Sequence, residues 1–193
     1  MGCLLVKRQP TSSLSWGLIV GTEAYCQAEL ACHGQRRRTP HNKTLFGEPG
    51  HVHVDLSHGI HRCLSVVMDR AESAHGVLLR TLALPGELER IAAGPGRPAL
   101  RFGLDCGHNR LAAREDQGLW LAARPAKLQD RMEQWLVEGR QLMTSTTRIG
   151  IRQGQGLPWR WYLASSRSVS RRGWGDGMPA WHRAWRAERT WLP

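Results

Sequence analysis

An α+β fold is predicted, a single domain built around a curved antiparallel β-sheet with flanking helices. Three observations predict it. Short apolar runs separated by turn residues recur along the chain, one segment alone carries a long helical stripe, and 193 residues suffice for one domain with a sizeable core but not comfortably for two.

Leu4–Val6 and Leu18–Val20 flank the turn-prone Gln9-Pro10-Thr11-Ser12-Ser13, a spacing that predicts two paired strands. The second delivers Glu23 to its end. Residues 35–50 hold Arg36, Arg37, Arg38, His41 and Lys43 among prolines and glycines and read as an exposed loop. From His51 to Ser57 the chain alternates: Val52, Val54 and Leu56 face one way, His51, His53, Asp55 and Ser57 the other. Strands are expected over Cys63–Met68 and Gly76–Leu84, and a short helix over Gly86–Ala93, stopped by Gly94-Pro95-Gly96. Ala126–Met143 places Leu128, Met132, Trp135, Leu136 and Leu142 on one helical stripe. Two last strands are expected over Thr146–Ile151 and Trp159–Leu163. The domain should span residues 1–166, and residues 167–193, rich in Arg, Trp, Gly and Ser, read as a basic tail expected to be disordered. The core should include Leu18, Val20, Val52, Val54, Leu56, Val66, Val77 and Leu79.

The formal charge of +11 comes from 27 Lys and Arg against 16 Asp and Glu. It suits a polyanionic partner, nucleic acid first, although a solvated basic surface has the same composition. No apolar stretch approaches the roughly 20 residues that a bilayer span needs, nor does the N-terminus read as a secretory signal. A cytoplasmic protein is expected, nucleoid-associated if bacterial. Five cysteines in no framework spacing fit reduced thiols, and the absence of a CxxC pair argues against structural zinc.

Two constellations carry chemistry. His51, His53 and Asp55 form an HxHxD string on one strand face, similar to the ligand signature of the metallo-β-lactamase fold, and a metal-dependent hydrolase using those three residues is the remote reading. That signature continues with histidine, where this chain has Leu56, so a solvated or DNA-facing strand is the simpler reading. The sharper signal is Glu23. With Tyr25 two residues on, a basic loop after it and Arg80 ending an apolar strand, it provides what is needed to activate a water beside an aromatic wall.

In order, the motifs TEAY, ACHG, RRRTPHNKTLFGEPGHVHV, HGIHRCLSVV, GVLLR, TTRIGI and RWYLASS resemble those of the alkyladenine, or 3-methyladenine, DNA glycosylase family, from about Cys3 to about Ser168. Set against that family, the N-terminus reads as shortened. The resemblance implies a monofunctional DNA glycosylase acting as a monomer on double-stranded DNA. It would flip damaged purines from the duplex and hydrolyse the bond to C1′ without metal or cofactor, leaving an abasic site. The lesion class is 3-methyladenine, 7-methylguanine, hypoxanthine and ethenoadenine. By the same resemblance Glu23 is the general base, while Arg80 and the Ile149 carbonyl hold the attacking water. Tyr25 stacks on the base and the His33 backbone N–H reads the purine edge. Arg36, Arg37, Arg38 and Lys43 are expected on phosphates.

Four positions depart from the family pattern, one of them Gly21, which stands where family members often carry an acidic residue. Asp55 and His58 stand where the family has tyrosines, the first a second stacking wall, the second a wedge filling the gap left by the flipped base. Ser65 replaces an asparagine that crowds the guanine 2-amino group. A charge at Asp55 would favour a cationic alkylpurine and repel phosphate. The departures keep open two other readings: a degenerate relative that binds DNA with little catalysis, and a basic binding module without chemistry.

Overall fold

The computed structural model describes residues 1–57, 59–164 and 166–170. Its strands are β1 (Leu4–Arg8), β2 (Leu14–Cys26), β3 (Val52–Ser57), β4 (His61–Val67), β5 (His75–Ala83), β6 (Leu119–Ala122), β7 (Met143–Thr146) and β8 (Arg160–Leu163). All pair antiparallel, in the order β3-β4-β5-β2-β1-β6, with β8 joining β2 and β7 joining β8. The helices are α1 (Arg97–Arg101) and α2 (Ala126–Val137). A curled antiparallel sheet with few helices is the α+β domain expected.

Thirteen residues long, β2 is the axis of the sheet. Its first half pairs with β1; at Gly21, Thr22 and Glu23 it pairs with β5 on one side and β8 on the other. Strand alternation then assigns two cores. Leu4, Val6, Leu18 and Val20 pack against Leu128, Met132 and Trp135 of α2. Leu5 and Ile19 point the other way, into Val52, Val54, Leu64, Val66, Leu79 and Phe102. With both faces covered, the middle of β2 is buried without a break from Gly17 to Glu23.

Several expected elements differ. Residues 86–93 form turns instead of a helix, because the backbone beside β5 is held there by Leu82 donating to the Ala92 carbonyl at 3.1 Å. The helix starts after Gly96, with Pro98 in its first turn, where a missing N–H costs nothing. The expected strand over Thr146–Ile151 ends at Thr146, since Arg148 turns inward to an ion pair described below. β6 was not expected; its four-residue apolar run is too short to stand out between loops. The long helix stops at Val137, where Gly139 adopts a positive φ of 71° and its N–H donates to the Leu136 carbonyl.

Six of the eight expected core residues are buried: Leu18, Val20, Val52, Val54, Val66 and Leu79. Val77 is half-buried, and Leu56 is 47% exposed. β5 covers β4 only from Ser65 to Val67, so the Leu56 end of the β3–β4 hairpin projects beyond the sheet. His53, expected on a functional or solvated face, is only 3% exposed. Beyond Ser166 the packed chain continues, with Val169 in the core; the rest of the expected tail, and His58, lie outside the described residues.

Candidate active site

Three structural devices converge on Glu23. The first is position: flanked by β5 and β8, its side chain is fully buried. The second is a β-bulge. Opposite Gly21-Thr22 the β5 register skips from Thr81 to Leu79, leaving Arg80 unpaired and aimed at the carboxylate. Arg80 Nη1 lies 3.1 Å from Glu23 Oε1. The third is the loop after β7, whose Ile149 N–H donates to the same oxygen at 3.1 Å. The phenol of Tyr25, on the same strand face as Glu23, donates to Oε2 at 2.9 Å. Both carboxylate oxygens are therefore fixed. Burial, then the neighbouring Glu23 charge, push the Tyr25 phenol well above its ordinary pKa, so it remains the donor.

Glu23, Arg80 and Ile149 help to enclose a cavity of about 860 Å³. Tyr25, Cys32, His33, His53, Asp55, Cys63 and Ser65 line it as well. This volume suits a small ligand, and the lining combines an aromatic wall with convergent polar groups. Seven residues singled out in the sequence, Glu23, Tyr25, His33, Asp55, Ser65, Arg80 and Ile149, thus meet in one place, although they come from widely separated segments of the chain.

The strand of histidines divides differently from the expected metal set. His51 Nδ1 lies 3.0 Å from the Glu48 carbonyl, away from the cavity lining. In its place His33 joins His53 and Asp55, the three bringing potential ligand atoms within 4.8 Å of one another. His33 Nδ1 donates to Asp55 Oδ2 at 2.9 Å. That bond raises the His33 pKa against the effect of burial. Burial alone would push Asp55 up, but the bond to His33 and the nearby imidazoles outweigh it and hold the carboxyl below its usual range. Burial, the largest influence on His53, pushes its pKa below the ordinary value, so the ring stays neutral. Neither of its ring nitrogens makes a hydrogen bond of normal geometry, although Asn109 approaches the ring.

Sequence reasoning missed the residues that hold these groups. Arg148 is fully buried and bidentate to Glu29, at 2.7 and 2.9 Å, and also donates to the Ala24 and Gly154 carbonyls. Its guanidinium lies 4.6 Å from the Tyr25 ring centroid and 5.5 Å from that of Trp159. One buried cation therefore supports the aromatic wall and, through its neighbour Ile149, the carboxylate. A lone arginine between the uncharged Thr146-Thr147 and Ile149 was the available signal. Asn42 does the same for the basic loop, donating to the His33 and Arg37 carbonyls at 2.7 and 3.0 Å and accepting from Thr39 N at 2.7 Å. Arg36 and Arg37 are exposed, Arg38 pairs with Glu72 at 2.8 Å, and Lys43 is half-buried in the 3₁₀ turn of Lys43–Phe46. None of the four lines the cavity.

Comparison with known proteins gives the family. The family model for methylpurine-DNA glycosylase matches residues 1–167. The chain belongs to the methylpurine-DNA glycosylase family. A protein of Synechococcus elongatus is 39% identical over 172 residues, covering 89% of this chain and 82% of that protein. Similar relatives occur in Trichodesmium erythraeum, 35% identical with 89% of each chain covered, and in Rubrobacter xylanophilus, 36% identical with 96% of this chain and 95% of the other covered. All three are provisionally named 3-methyladenine DNA glycosylase. By family this glycosylase is a DNA-repair enzyme. No helix among its described residues is long and apolar enough to cross a membrane.

Proposed function

We propose that this glycosylase is monofunctional and acts as a monomer, flipping alkylated or deaminated purines out of duplex DNA and hydrolysing their bond to C1′ with Glu23 as general base. The observation that carries the reading is the buried Glu23 carboxylate, fixed by Arg80, Tyr25 and Ile149 beside a cavity large enough for a base. Water bonds through oxygen to C1′ while Glu23 takes its proton; the C1′–N electron pair leaves with the purine, and an abasic deoxyribose remains. A positioned base of this kind is worth on the order of 10² to 10⁴ in rate. Arg80 Nε is buried without a hydrogen-bond partner, a donor left free to hold the water that Nη1 does not serve. Tyr25 offers the extruded base a ring backed by Arg148. Such stacking contributes roughly 1 to 3 kcal/mol per base, against the few kcal/mol that extrusion costs. Exposed Arg36 and Arg37 reach phosphates, and Ser65 leaves the purine 2-amino edge less crowded.

The test is single-turnover release of bases from methylated, hypoxanthine and ethenoadenine duplexes by wild type and Glu23→Gln, with and without a chelator. Abasic sites are read by alkali treatment. Release that is chelator-insensitive, lost in the variant and free of strand scission before alkali is expected. Chelator-sensitive release would favour the His33, His53 and Asp55 cluster as a metal centre, and duplex binding without release would favour a degenerate binding protein.

A further inference from the structure

The His33–Asp55 pair lines the same cavity as Glu23, and its importance rests on the glycosylase reading. Asp55 is the more enclosed partner, its side chain 20% exposed against 59% for His33. A base entering the cavity therefore meets the carboxylate at short range, where charge is weakly screened. The other titratable groups facing that wall do not offset it. His53, on the same strand, is neutral, and the Cys63 thiol across the hairpin is pushed up to about 11, chiefly by burial. His61 lines the cavity from the start of β4, while Glu23 and Arg80 neutralise each other and Tyr25 keeps its proton.

Arg152 also lines the cavity and brings a guanidinium to it, so what the His33–Asp55 pair decides is the charge beside Asp55 itself. With His33 protonated the pair is neutral overall. Once His33 loses its proton, the Nδ1–H retained in the neutral ring still bonds to Oδ2 and the pair carries one negative charge. A purine methylated at N3 or N7 within its nucleotide is a cation, whereas hypoxanthine and ethenoadenine are neutral. We propose that Asp55 selects positively charged alkylpurines over neutral lesions, and that the protonation state of His33 sets how strongly it does so. Cationic bases and the His33 proton compete for the same carboxylate, so selection strengthens as pH rises through the His33 pKa, which lies above 6.5.

The experiment measures binding, not turnover, on two matched duplexes. One contains 7-methyladenine, a cation with no ring N–H to lose, and the other its neutral 7-deaza-7-methyl isostere, both on 2′-fluoro sugars that keep the glycosidic bond intact. Wild type should prefer the cationic duplex on the order of tenfold at pH 8, with the preference shrinking towards pH 6. Asp55→Asn should abolish the preference at both pH values. His33→Gln should keep it high at both, and it reports any titration of the base itself. The two variants move the ratio in opposite directions, which general damage to the pocket does not do. Equal affinity of wild type for the two duplexes, or an Asp55→Asn ratio matching wild type, overturns the proposal. The excision assay separates the two readings: excision without charge selection removes this inference alone, and charge selection without excision removes the glycosylase reading alone.

Discussion

Glu23 shows how far one residue's chemistry depends on its neighbours. Its carboxylate accepts from Arg80, Tyr25 and Ile149, and Ile149 is held by Arg148. Removing either member of the buried Arg148–Glu29 pair strands the other charge, so Arg148→Met is expected to cost about 3 to 5 kcal/mol of stability by denaturant unfolding. Glu23→Gln replaces one carboxylate oxygen by an amide and should lower base release by about 10² or more, with an unfolding midpoint that shifts far less. His53 gives a pH signature. Its folded pKa is depressed below 6.5, so the unfolded chain binds a proton that the folded chain refuses. Stability is fully present above that pH and falls as pH drops through it. His53→Asn should flatten this part of the stability–pH curve, and an unchanged slope would show that His53 is already charged in the fold.

Among the elements, β2 carries most of the site. Its double pairing buries Glu23, and the bulge opposite Gly21-Thr22 frees Arg80 from the ladder. Alternation made Val52, Val54, His53 and Asp55 legible from sequence, because a strand obeys period two wherever one face is buried. The same alternation failed for Leu56 because it says nothing about where a neighbouring strand ends. The basic loop is the second element to which a role is proposed. Exposed Arg36 and Arg37 ride on a backbone clamped by Asn42. Replacing both arginines with alanine should reduce the magnitude of the salt slope of duplex binding by about 2, roughly one for each phosphate no longer neutralised, without altering single-turnover release at saturating protein. Arg38 is already shared with Glu72 and should contribute less.

For the molecule as a whole, the chain carries a net charge of +11, while the Glu23 carboxylate in the cavity is paired with Arg80. A role in attraction to DNA and a role in chemistry are thus proposed for different residues. The fold class, most of the strands that form the two cores and the residue types at the site were all readable along the chain. Those follow from periodicity, turn chemistry and ordered motifs, which are local in sequence. Folding in three dimensions settled which histidine faces Asp55, that His53 is buried, that Arg148 backs the aromatic wall, and that residues 86–93 form no helix. Those outcomes depend on contacts between residues apart in sequence: Arg148 with Glu29, His33 with Asp55, and Leu82 with Ala92. Burial makes such contacts obligatory, because a polar group withdrawn from water must find its partner wherever the fold has placed one.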